Sequence, residues 1–288
     1  MYSSMSIKLK AAFTSILVNL SLLITKFIVA LLTGSIGLVA ESAHSLFDLI
    51  ASLLAHAGIK KAEEPSDEEH HFGHQKFENL SSLLQALLIT GTSFVVIWEA
   101  YRKFSHPTPV ENSWIGIVLM IVTIPVTILT SKYLARIAKE AGGSSALEAD
   151  SAHFTTDVMA SVAVLLGLIM VHFGFGFADP LSALIVGLIM LYISAHLIIG
   201  SFRVFMDYSP DKSTIEKIEK IIAKEKRVKS FHNLKARFAG SYILLEFHIR
   251  VRKNMNVAEA HKISHVLKDK IIRKIPQIKH CTIHIEPD

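Results

Sequence analysis

The sequence predicts a membrane all-α six-helix bundle followed by a small cytoplasmic α/β domain with the element order αββαβ. Three observations predict this fold class. Hydrophobic residues make up 51% of the 288 residues, charged residues make up only 19%, and the mean hydropathy is +0.42. Apolar runs of about 20 residues, the length that crosses a bilayer, recur before residue 209. Beyond that residue the chain becomes polar and alternates in hydropathy, as a soluble domain does.

Six apolar segments set the predicted membrane spans. They lie near residues 11–32, 36–58, 80–101, 113–135, 147–172 and 180–202. The predicted transmembrane domain therefore covers 1–209, and the cytoplasmic C-terminal domain covers 210–288. An even number of spans places both termini on the same side of the membrane.

Basic residues decide which side this is, because short loops rich in Lys and Arg stay in the cytoplasm. If both termini lie in the cytoplasm, the basic residues left on the outer side are Arg102 and Lys103. Nine basic residues would lie inside: Lys8, Lys10, Lys60, Lys61, Lys76, Lys132, Arg136, Lys139 and Arg203. The sequence therefore predicts a multi-pass protein of the cell inner (plasma) membrane with cytoplasmic N- and C-termini. The single cysteine, Cys281, permits no intrachain disulfide, which fits a reducing compartment.

A short motif occurs twice inside the predicted spans. The pattern His44-x-x-x-Asp48 in the second span returns 109 residues later as His153-x-x-x-Asp157 in the fifth. Residues at i and i+4 of a helix share one face, so each copy presents an imidazole and a carboxylate together. The two spans run antiparallel, and at about 1.5 Å per residue both motifs lie roughly 14 Å deep, near the middle of the bilayer core. The two pairs can therefore meet.

Two imidazoles and two carboxylates form a tetrahedral ligand set that suits Zn²⁺. The alternative is that the four side chains only join helices by hydrogen bonds, although Ser and Asn would do so at lower desolvation cost. Protons compete with a metal for the imidazole lone pairs near neutral pH. The sequence has no P-loop pattern for nucleotide hydrolysis. It therefore predicts metal-for-proton antiport by alternating access.

The doubled motif, the six spans and the histidine-bearing C-terminal domain together resemble the cation diffusion facilitator family, in particular its bacterial zinc/proton antiporters of the ferrous-iron/zinc efflux type. This resemblance covers essentially the whole chain. It implies a homodimer in the lipid bilayer that exports Zn²⁺ from the cytoplasm in exchange for H⁺, with His44, Asp48, His153 and Asp157 as the transport site. Bacterial relatives often carry Asp at the position of His44, whereas two His with two Asp is similar to the zinc-selective animal branch. Cd²⁺, Fe²⁺, Co²⁺ and Mn²⁺ are the other candidate cations.

The polar segment between the second and third spans carries three histidines among five residues. Asp67, His70 and His74 match a second metal site of the family, and His71 is an additional imidazole that could take part. Without the resemblance, an acidic loop beside a membrane is equally well explained as a solvated surface. Because the loop is exposed, we expect a weaker or regulatory site that gathers cations toward the transport site.

Two further residues match a charge interlock that the family forms at its dimer interface. They are Lys76, just after the loop, and Asp207, just after the last span. From the residues alone, each could equally be a solvated surface charge.

The C-terminal segment has the pattern of a metallochaperone-like α/β domain. Ser213 with Glu216 forms a capping box that opens a first helix, and Asn256 with Glu259 opens a second that runs to about Ile275. One strand lies near residue 232. A second has an apolar face formed by Ile243, Leu245, Phe247, Ile249 and Val251, and the last strand directs Cys281, Ile283 and Ile285 to one side.

The same alternation places polar ligands on the outer face of this domain. His248, His284 and Glu286 point away from the core, with His232 and His261 as neighbours. The resemblance implies that these residues form a cytoplasmic zinc site, at which two ions are shared and a carboxylate, here Glu286, bridges them across the dimer. Zinc bound between two such domains would draw them together, so we expect it to regulate transport. Ordinary surface histidines are the alternative. The domain has 18 Lys and Arg against 9 Asp and Glu. We expect no nucleic acid partner, because an anionic membrane surface explains this charge.

Two other classes of protein compete with a transporter. A membrane-anchored metal sensor would not need Asp48 and Asp157 in lipid. An intramembrane metal-dependent hydrolase needs an open coordination position, and the sequence has no H-E-x-x-H motif. We therefore predict that the chain is not an enzyme.

Overall fold

The computed structural model describes residues 6–33, 36–105, 114–172 and 177–288. The chain divides into two compact units, Met1–Ser201 and Phe202–Asp288. Each unit has its own core, and each is described by itself below.

Long helices form the first unit. Within the described ranges they are α1 (Ile7–Thr33), α2 (Ile36–Ala62), α3 (Lys76–Ser105), α4 (Trp114–Glu140), α5 (Ser145–His172) and α6 (Ala178–Phe205). Each predicted span lies within one of these helices, except that residue 113 lies outside the described residues. Four stretches are long and apolar enough to cross a membrane: Ile7–Val29, Lys76–Ser105, Ile121–Glu140 and Pro180–Phe205. The presence of six crossings stays a prediction.

Helices α2 and α5 lie at the centre of the packing in this unit. Helix α2 packs against α1, α3 and α5, and α5 also packs against α3 and α4. Helix α2 approaches α3 closely at Gly58, where an added Cβ would lie 2.3 Å from the Cβ of Ser81. Ser81 Oγ donates a hydrogen bond of 2.7 Å to the carbonyl of Leu54 at the same crossing. A glycine is therefore required at this helix crossing.

The second unit confirms the predicted α/β domain. It consists of α7 (Lys212–Ala223), β1 (Ser230–Ala239), β2 (Tyr242–Val251), α8 (Val257–Lys274) and β3 (Ile278–Pro287), which is the order αββαβ. The sheet order is β1-β2-β3, with β1 antiparallel and β3 parallel to β2. Helix α8 is the connection that parallel pairing of β2 with β3 requires.

The two helices of this unit begin at polar caps. Asn256 caps α8 as predicted, with its Oδ1 accepting a hydrogen bond of 2.8 Å from the amide of Glu259. The cap predicted for α7 is wrong by two residues, because Asp211 and not Ser213 is the N-cap. The carboxylate of Asp211 accepts hydrogen bonds from the hydroxyls of Ser213 and Thr214 and from the amide of Thr214. Three donors in reach of one carboxylate favour the earlier start.

The core of the second unit lies between the sheet and the two helices. The apolar face of β2 is buried as predicted, with Phe247 and Ile249 fully enclosed. These side chains pack with Ile218 and Ile222 of α7 and with Leu267 of α8. Because successive residues of a strand alternate between faces, His248 lies on the opposite side of the sheet from this core.

Candidate metal centre

Helices α2 and α5 bring both copies of the duplicated motif to one place. His44 Nε2 lies 3.7 Å from Asp48 Oδ1 and 3.9 Å from Asp157 Oδ1. His153 Nε2 lies 3.0 Å from Asp48 Oδ1. The ligand atoms of His44, Asp48 and Asp157 all lie within 4.8 Å of one another. The four residues therefore form a single group, which we call the His/Asp centre.

These separations can be compared with those in a tetrahedral zinc site. Bonds of about 2.0–2.1 Å at tetrahedral angles place neighbouring ligand atoms about 3.3 Å apart. The distances from His44 Nε2 to Asp48 and Asp157 are 3.7 and 3.9 Å, which is too long for hydrogen bonds. His153 contacts this set of three ligands through Asp48. The choice between metal binding and a purely structural contact stays a prediction.

The His/Asp centre is buried unevenly. Asp48 is 6% exposed and His153 is 2% exposed, whereas His44 and Asp157 are half-buried. Nδ1 of His153 has no hydrogen-bond partner among the described residues. A carboxylate and an imidazole in such surroundings are costly unless they pair with each other or with a cation. The contact between Asp48 and His153 is such a pairing.

A second group lies in the loop between α2 and α3. The ligand atoms of Asp67, His70 and His74 lie within 4.8 Å of one another. His74 Nε2 is 3.2 Å and His70 Nδ1 is 3.5 Å from the carboxylate of Asp67. The pKa of Asp67 is below its ordinary value, chiefly because the amide of His70 donates a hydrogen bond to its carboxylate. His71 is exposed and does not belong to this group.

One histidine of the loop group is already oriented for a metal. His74 is 2% exposed, and its Nδ1 lies 3.1 Å from the carbonyl oxygen of Pro65. A carbonyl can only accept, so Nδ1 donates to it, and Nε2 faces the carboxylate of Asp67. A fixed ring reduces the entropy that binding a cation would cost.

A third group lies on the outer face of the second unit. His232, His248 and His284 are cross-strand neighbours on β1, β2 and β3, so each strand contributes one imidazole at the same level. The ligand atoms of His232, His248 and Glu286 lie within 4.8 Å of one another. His284 Nε2 lies 3.9 Å from Glu286 Oε1, and its ring centre is 4.7 Å from that of His248. We call these four residues the sheet histidine group.

Glu286 is the common partner within the sheet histidine group. Its carboxylate lies 3.0 Å from His248 Nδ1 and 3.4 Å from His232 Nε2. The pKa of Glu286 is lowered, first by the hydrogen bond from His248. Arg250 Nε lies 3.5 Å from the same carboxylate. His261 is not part of this group, since it lies on α8 with its ring centre 4.5 Å from that of His265.

The two residues predicted for a dimer interlock lie in different units. Lys76 is the first residue of α3, and Asp207 follows α6. Asp207 has φ 54° and its Oδ1 accepts a hydrogen bond of 2.6 Å from Arg237 on β1. The interlock itself stays a prediction.

Sequence reasoning missed one buried acid near the His/Asp centre. Asp150 lies on α5, is 0% exposed, and accepts a hydrogen bond of 3.1 Å from Ser52 Oγ. The signal was present in the sequence, because an aspartate inside a predicted membrane span marks a functional position by default. At the 109-residue offset Asp150 corresponds to Glu41, so an acid precedes the Ser-Ala-His sequence in both copies of the motif.

A helical membrane unit with paired His and Asp residues on two central helices, followed by an α/β domain with its own His and Glu group, is the arrangement expected of a metal cation transporter. A family model described as the cation efflux transmembrane domain matches residues 12–206, and one described as the cation efflux protein cytoplasmic domain matches residues 210–288. The chain belongs to the cation efflux family, which is also called the cation diffusion facilitator family. This confirms the resemblance drawn from the sequence.

The two cation-efflux pumps that follow agree with this assignment. The chain is 32% identical to a cation-efflux pump FieF of Shewanella oneidensis over 254 residues, which cover 88% of this chain and 86% of the relative. It is 27% identical to a cation-efflux pump FieF of Salmonella arizonae over 278 residues, which cover 96% and 92%. A metal-bound C-terminal domain of the CzcD transporter from Thermotoga maritima is 24% identical, with 26% of this chain and 87% of that chain covered and a TM-score of 0.26.

Family membership decides between the classes of protein considered above. The chain is a membrane protein that exports divalent metal cations, as the match to the cation efflux transmembrane domain shows. It is not an enzyme, which confirms that prediction and excludes the intramembrane hydrolase.

Proposed function

We propose that this transporter exports Zn²⁺ from the cytoplasm in exchange for H⁺ by alternating access around the His/Asp centre. The observation that carries the proposal is the convergence of His44, Asp48 and Asp157 within 4.8 Å, with His153 Nε2 3.0 Å from Asp48. Two nitrogen and two oxygen ligands in this arrangement suit a tetrahedral cation.

The ligand types favour zinc over the other candidate cations. Mn²⁺ prefers carboxylate and water oxygens and is poorly served by two imidazoles. Fe²⁺ and Co²⁺ accept imidazole but bind such sites less tightly than Zn²⁺ in the general order of divalent affinities. Cd²⁺ is disfavoured, as the resemblance implies, because His44 stands where many bacterial relatives carry Asp.

Charge balance supports proton coupling. Two aspartates neutralise one divalent cation, so the loaded centre has no net charge if both imidazoles are neutral. When the cation leaves, the two carboxylates remain in a poorly hydrated environment, and an uncompensated charge there is costly. Protons taken up by the vacated side chains remove this charge, so metal release on one side favours proton binding on the same side.

The remaining groups support a regulated homodimer in the plasma membrane. We infer that both termini are cytoplasmic, that the loop group of Asp67, His70 and His74 gathers cations, and that zinc at the sheet histidine group regulates transport. The pair formed by Lys76 and Asp207 would contribute between two copies of the chain.

Zinc flux in proteoliposomes tests the proposal. The purified chain is reconstituted in vesicles that contain a zinc-sensitive dye, and a proton gradient is imposed across the bilayer. We expect zinc uptake that follows the gradient, exceeds the uptake of Mn²⁺, Fe²⁺, Co²⁺ and Cd²⁺, and disappears in Asp157→Ala. Zinc movement that ignores the proton gradient would refute antiport, and equal flux in Asp157→Ala would refute the assigned site. A metal sensor that is only anchored in the membrane would give no flux at all.

A further inference from the structure

A network of buried polar side chains lies beside the His/Asp centre. Asp150 of α5 accepts a hydrogen bond of 3.1 Å from Ser52 Oγ of α2. Ser52 Oγ also lies 2.7 Å from Asn19 Nδ2 and 2.6 Å from Ser15 Oγ, both on α1. All four residues are at most 2% exposed. Three helices are thus joined at one hydroxyl group.

The number of hydrogen bonds that Ser52 can donate and accept limits which groups act as donors in this network. A serine hydroxyl has one proton to donate and two positions at which it can accept. The amide of Asn19 can only donate, so Ser52 accepts from it. If Ser52 gives its own proton to Asp150, the contact with Ser15 must be a second acceptance, and every position on the hydroxyl is used. In that arrangement Asn19 and Ser15 donate to Ser52, and Ser52 donates to the carboxylate of Asp150.

The network is attached to the transport ligands by helix geometry. Ser52 lies four residues after Asp48 on α2, and Asp150 lies three residues before His153 on α5. Residues three or four apart share one helix face. The hydrogen bond between Ser52 and Asp150 is therefore a second contact between α2 and α5, one helical turn away from the contact between Asp48 and His153. Asn19 Nδ2 adds a hydrogen bond of 3.1 Å to the backbone carbonyl of Asp48 itself.

Helix α5 is also held on another side. Ser131 Oγ of α4 lies 2.8 Å from Thr155 Oγ1 and 3.0 Å from the carbonyl of Ser151. His153 therefore lies between two interhelical attachments of its own helix.

An aspartate that holds membrane helices together carries a high desolvation cost. Serine and asparagine join membrane helices at much lower desolvation cost than a carboxylate. Oδ2 of Asp150 has no hydrogen-bond partner in the part of the chain that the structure describes. A carboxylate whose hydrogen bond from Ser52 is as long as 3.1 Å is poorly explained by stability alone, because burying a weakly bonded carboxylate costs free energy.

We propose that Asp150, acting through Ser52, is a positioning residue that sets the separation of Asp48 and His153 and thereby the affinity of the His/Asp centre for its cation. This inference rests on the proposed function, in which those residues bind the transported metal. Asp150 itself does not touch the cation.

Zinc binding to the full-length chain in detergent tests the proposal. His74→Ala and His248→Ala are introduced first, so that calorimetry with Zn²⁺ alone reports the His/Asp centre. We expect Asp150→Ala and Ser52→Ala to raise the Kd about tenfold, since loss of a hydrogen bond to a charged group is of this size. Asp150→Asn keeps an oxygen that accepts from Ser52, and its Kd should stay within about threefold of the parent.

Matched controls separate positioning from general destabilisation. Ser93→Ala removes an equally buried hydroxyl that donates to the carbonyl of Ile89 on its own helix, and it should leave the Kd unchanged. In proteoliposomes, the positioning variants should raise the zinc concentration that half-saturates transport while keeping the maximal rate. A merely structural defect would instead lower the maximal rate and leave half-saturation unchanged, which would overturn the proposal.

A further variant distinguishes failure of this inference from failure of the proposed function. Asp48→Ala should abolish zinc binding in the same background. If it does, and Asp150→Ala and Ser52→Ala bind zinc like the parent, the positioning role is wrong and the transport site stands. If Asp48→Ala leaves zinc binding unchanged, the proposed function is wrong and the inference falls with it.

Discussion

Nε2 of His153 lies 3.0 Å from Oδ1 of Asp48, across the crossing of α5 and α2. Both atoms are ligands in the proposed zinc site, so an entering cation must replace this contact. The side chains that bind the metal are therefore held by each other when it is absent, which limits the rearrangement that loading requires. The same contact makes binding sensitive to protons, because protonation of either side chain withdraws a lone pair from the cation.

His44 is expected to control the choice between zinc and harder cations. Replacing it in His44→Asp would give one nitrogen and three oxygen ligands, and oxygen ligands favour Mn²⁺ over Zn²⁺ relative to imidazole. We expect the ratio of zinc to manganese flux in proteoliposomes to fall several-fold. His56→Asp on the same helix is the control and should leave the ratio unchanged. An unaltered ratio in His44→Asp would show that this imidazole does not contact the cation.

The loop group is expected to act before transport and not during it. In His74→Ala, the residue that is fixed by the carbonyl of Pro65 is lost, and we expect the half-saturating zinc concentration for flux to rise about threefold with the maximal rate unchanged. His71→Ala is the matched control, since His71 lies in the same loop outside the ligand group. Equal effects of the two substitutions would show that the loop attracts cations by its surface charge and not through a ligand group.

Arg250 is expected to weaken metal binding at the sheet histidine group. Its Nε lies 3.5 Å from the carboxylate of Glu286, so a bound cation has to share that carboxylate with a guanidinium. Arg250→Ala should tighten zinc binding there by about threefold to tenfold, measured by calorimetry on the full chain with Asp157→Ala. The neighbouring substitution Arg252→Ala removes the same charge farther along the chain and should have little effect. Weaker binding in Arg250→Ala would mean that this residue orients Glu286 and does not compete for it.

Glu225 is expected to make the second unit sensitive to acid. Arg227 Nε and Lys270 Nζ both donate to its carboxylate at 2.8 Å and hold its pKa at about 2, below the ordinary 4.5. Because the folded pKa lies below the unfolded one, this stabilisation is complete above about pH 4.5 and is lost as the pH falls toward 2.

Glu225→Gln tests this dependence. The substitution should lower the free energy of unfolding of the second unit by about 1–2 kcal/mol at pH 7, less than the pKa alone implies, because Arg227 and Lys270 are half-exposed. Hydrogen exchange of the β2 amides in the full chain measures the difference, which should shrink as the pH falls below 4.5. Glu219→Gln on α7 is the control. A difference that stays constant with pH would assign the effect to packing.

Local patterns predicted much of this molecule because their cause is local. The alternation along residues 242–251 specifies β2, since a strand with one buried face admits only one register of apolar residues. The i, i+4 spacing of the duplicated motif likewise determines which side chains share a helix face. The choice of Asp211 over Ser213 as the cap of α7 was not accessible in this way, because both residues cap helices well and the outcome depends on which donors fall within reach.

The network around Asp150 shows where sequence reasoning stops. Its partner Ser52 is 98 residues away, and Ser15 and Asn19 lie on yet another helix. None of these residues is unusual by itself, and serine and asparagine are common in membrane helices. Only the packing of α1, α2 and α5 joins them, and a single sequence carries no direct record of that packing.

The register of the small sheet has a consequence for the lifetime of the protein. His232, His248 and His284 come from three different strands and lie together only when all three strands are paired. A cation bound by these residues would therefore cross-link the three strands of the sheet. Such a cross-link raises the free energy of unfolding in proportion to the logarithm of the free zinc concentration. In cells with little zinc the second unit would then be less stable and the exporter would be degraded more readily. In cells with abundant zinc it would be more stable and would persist longer.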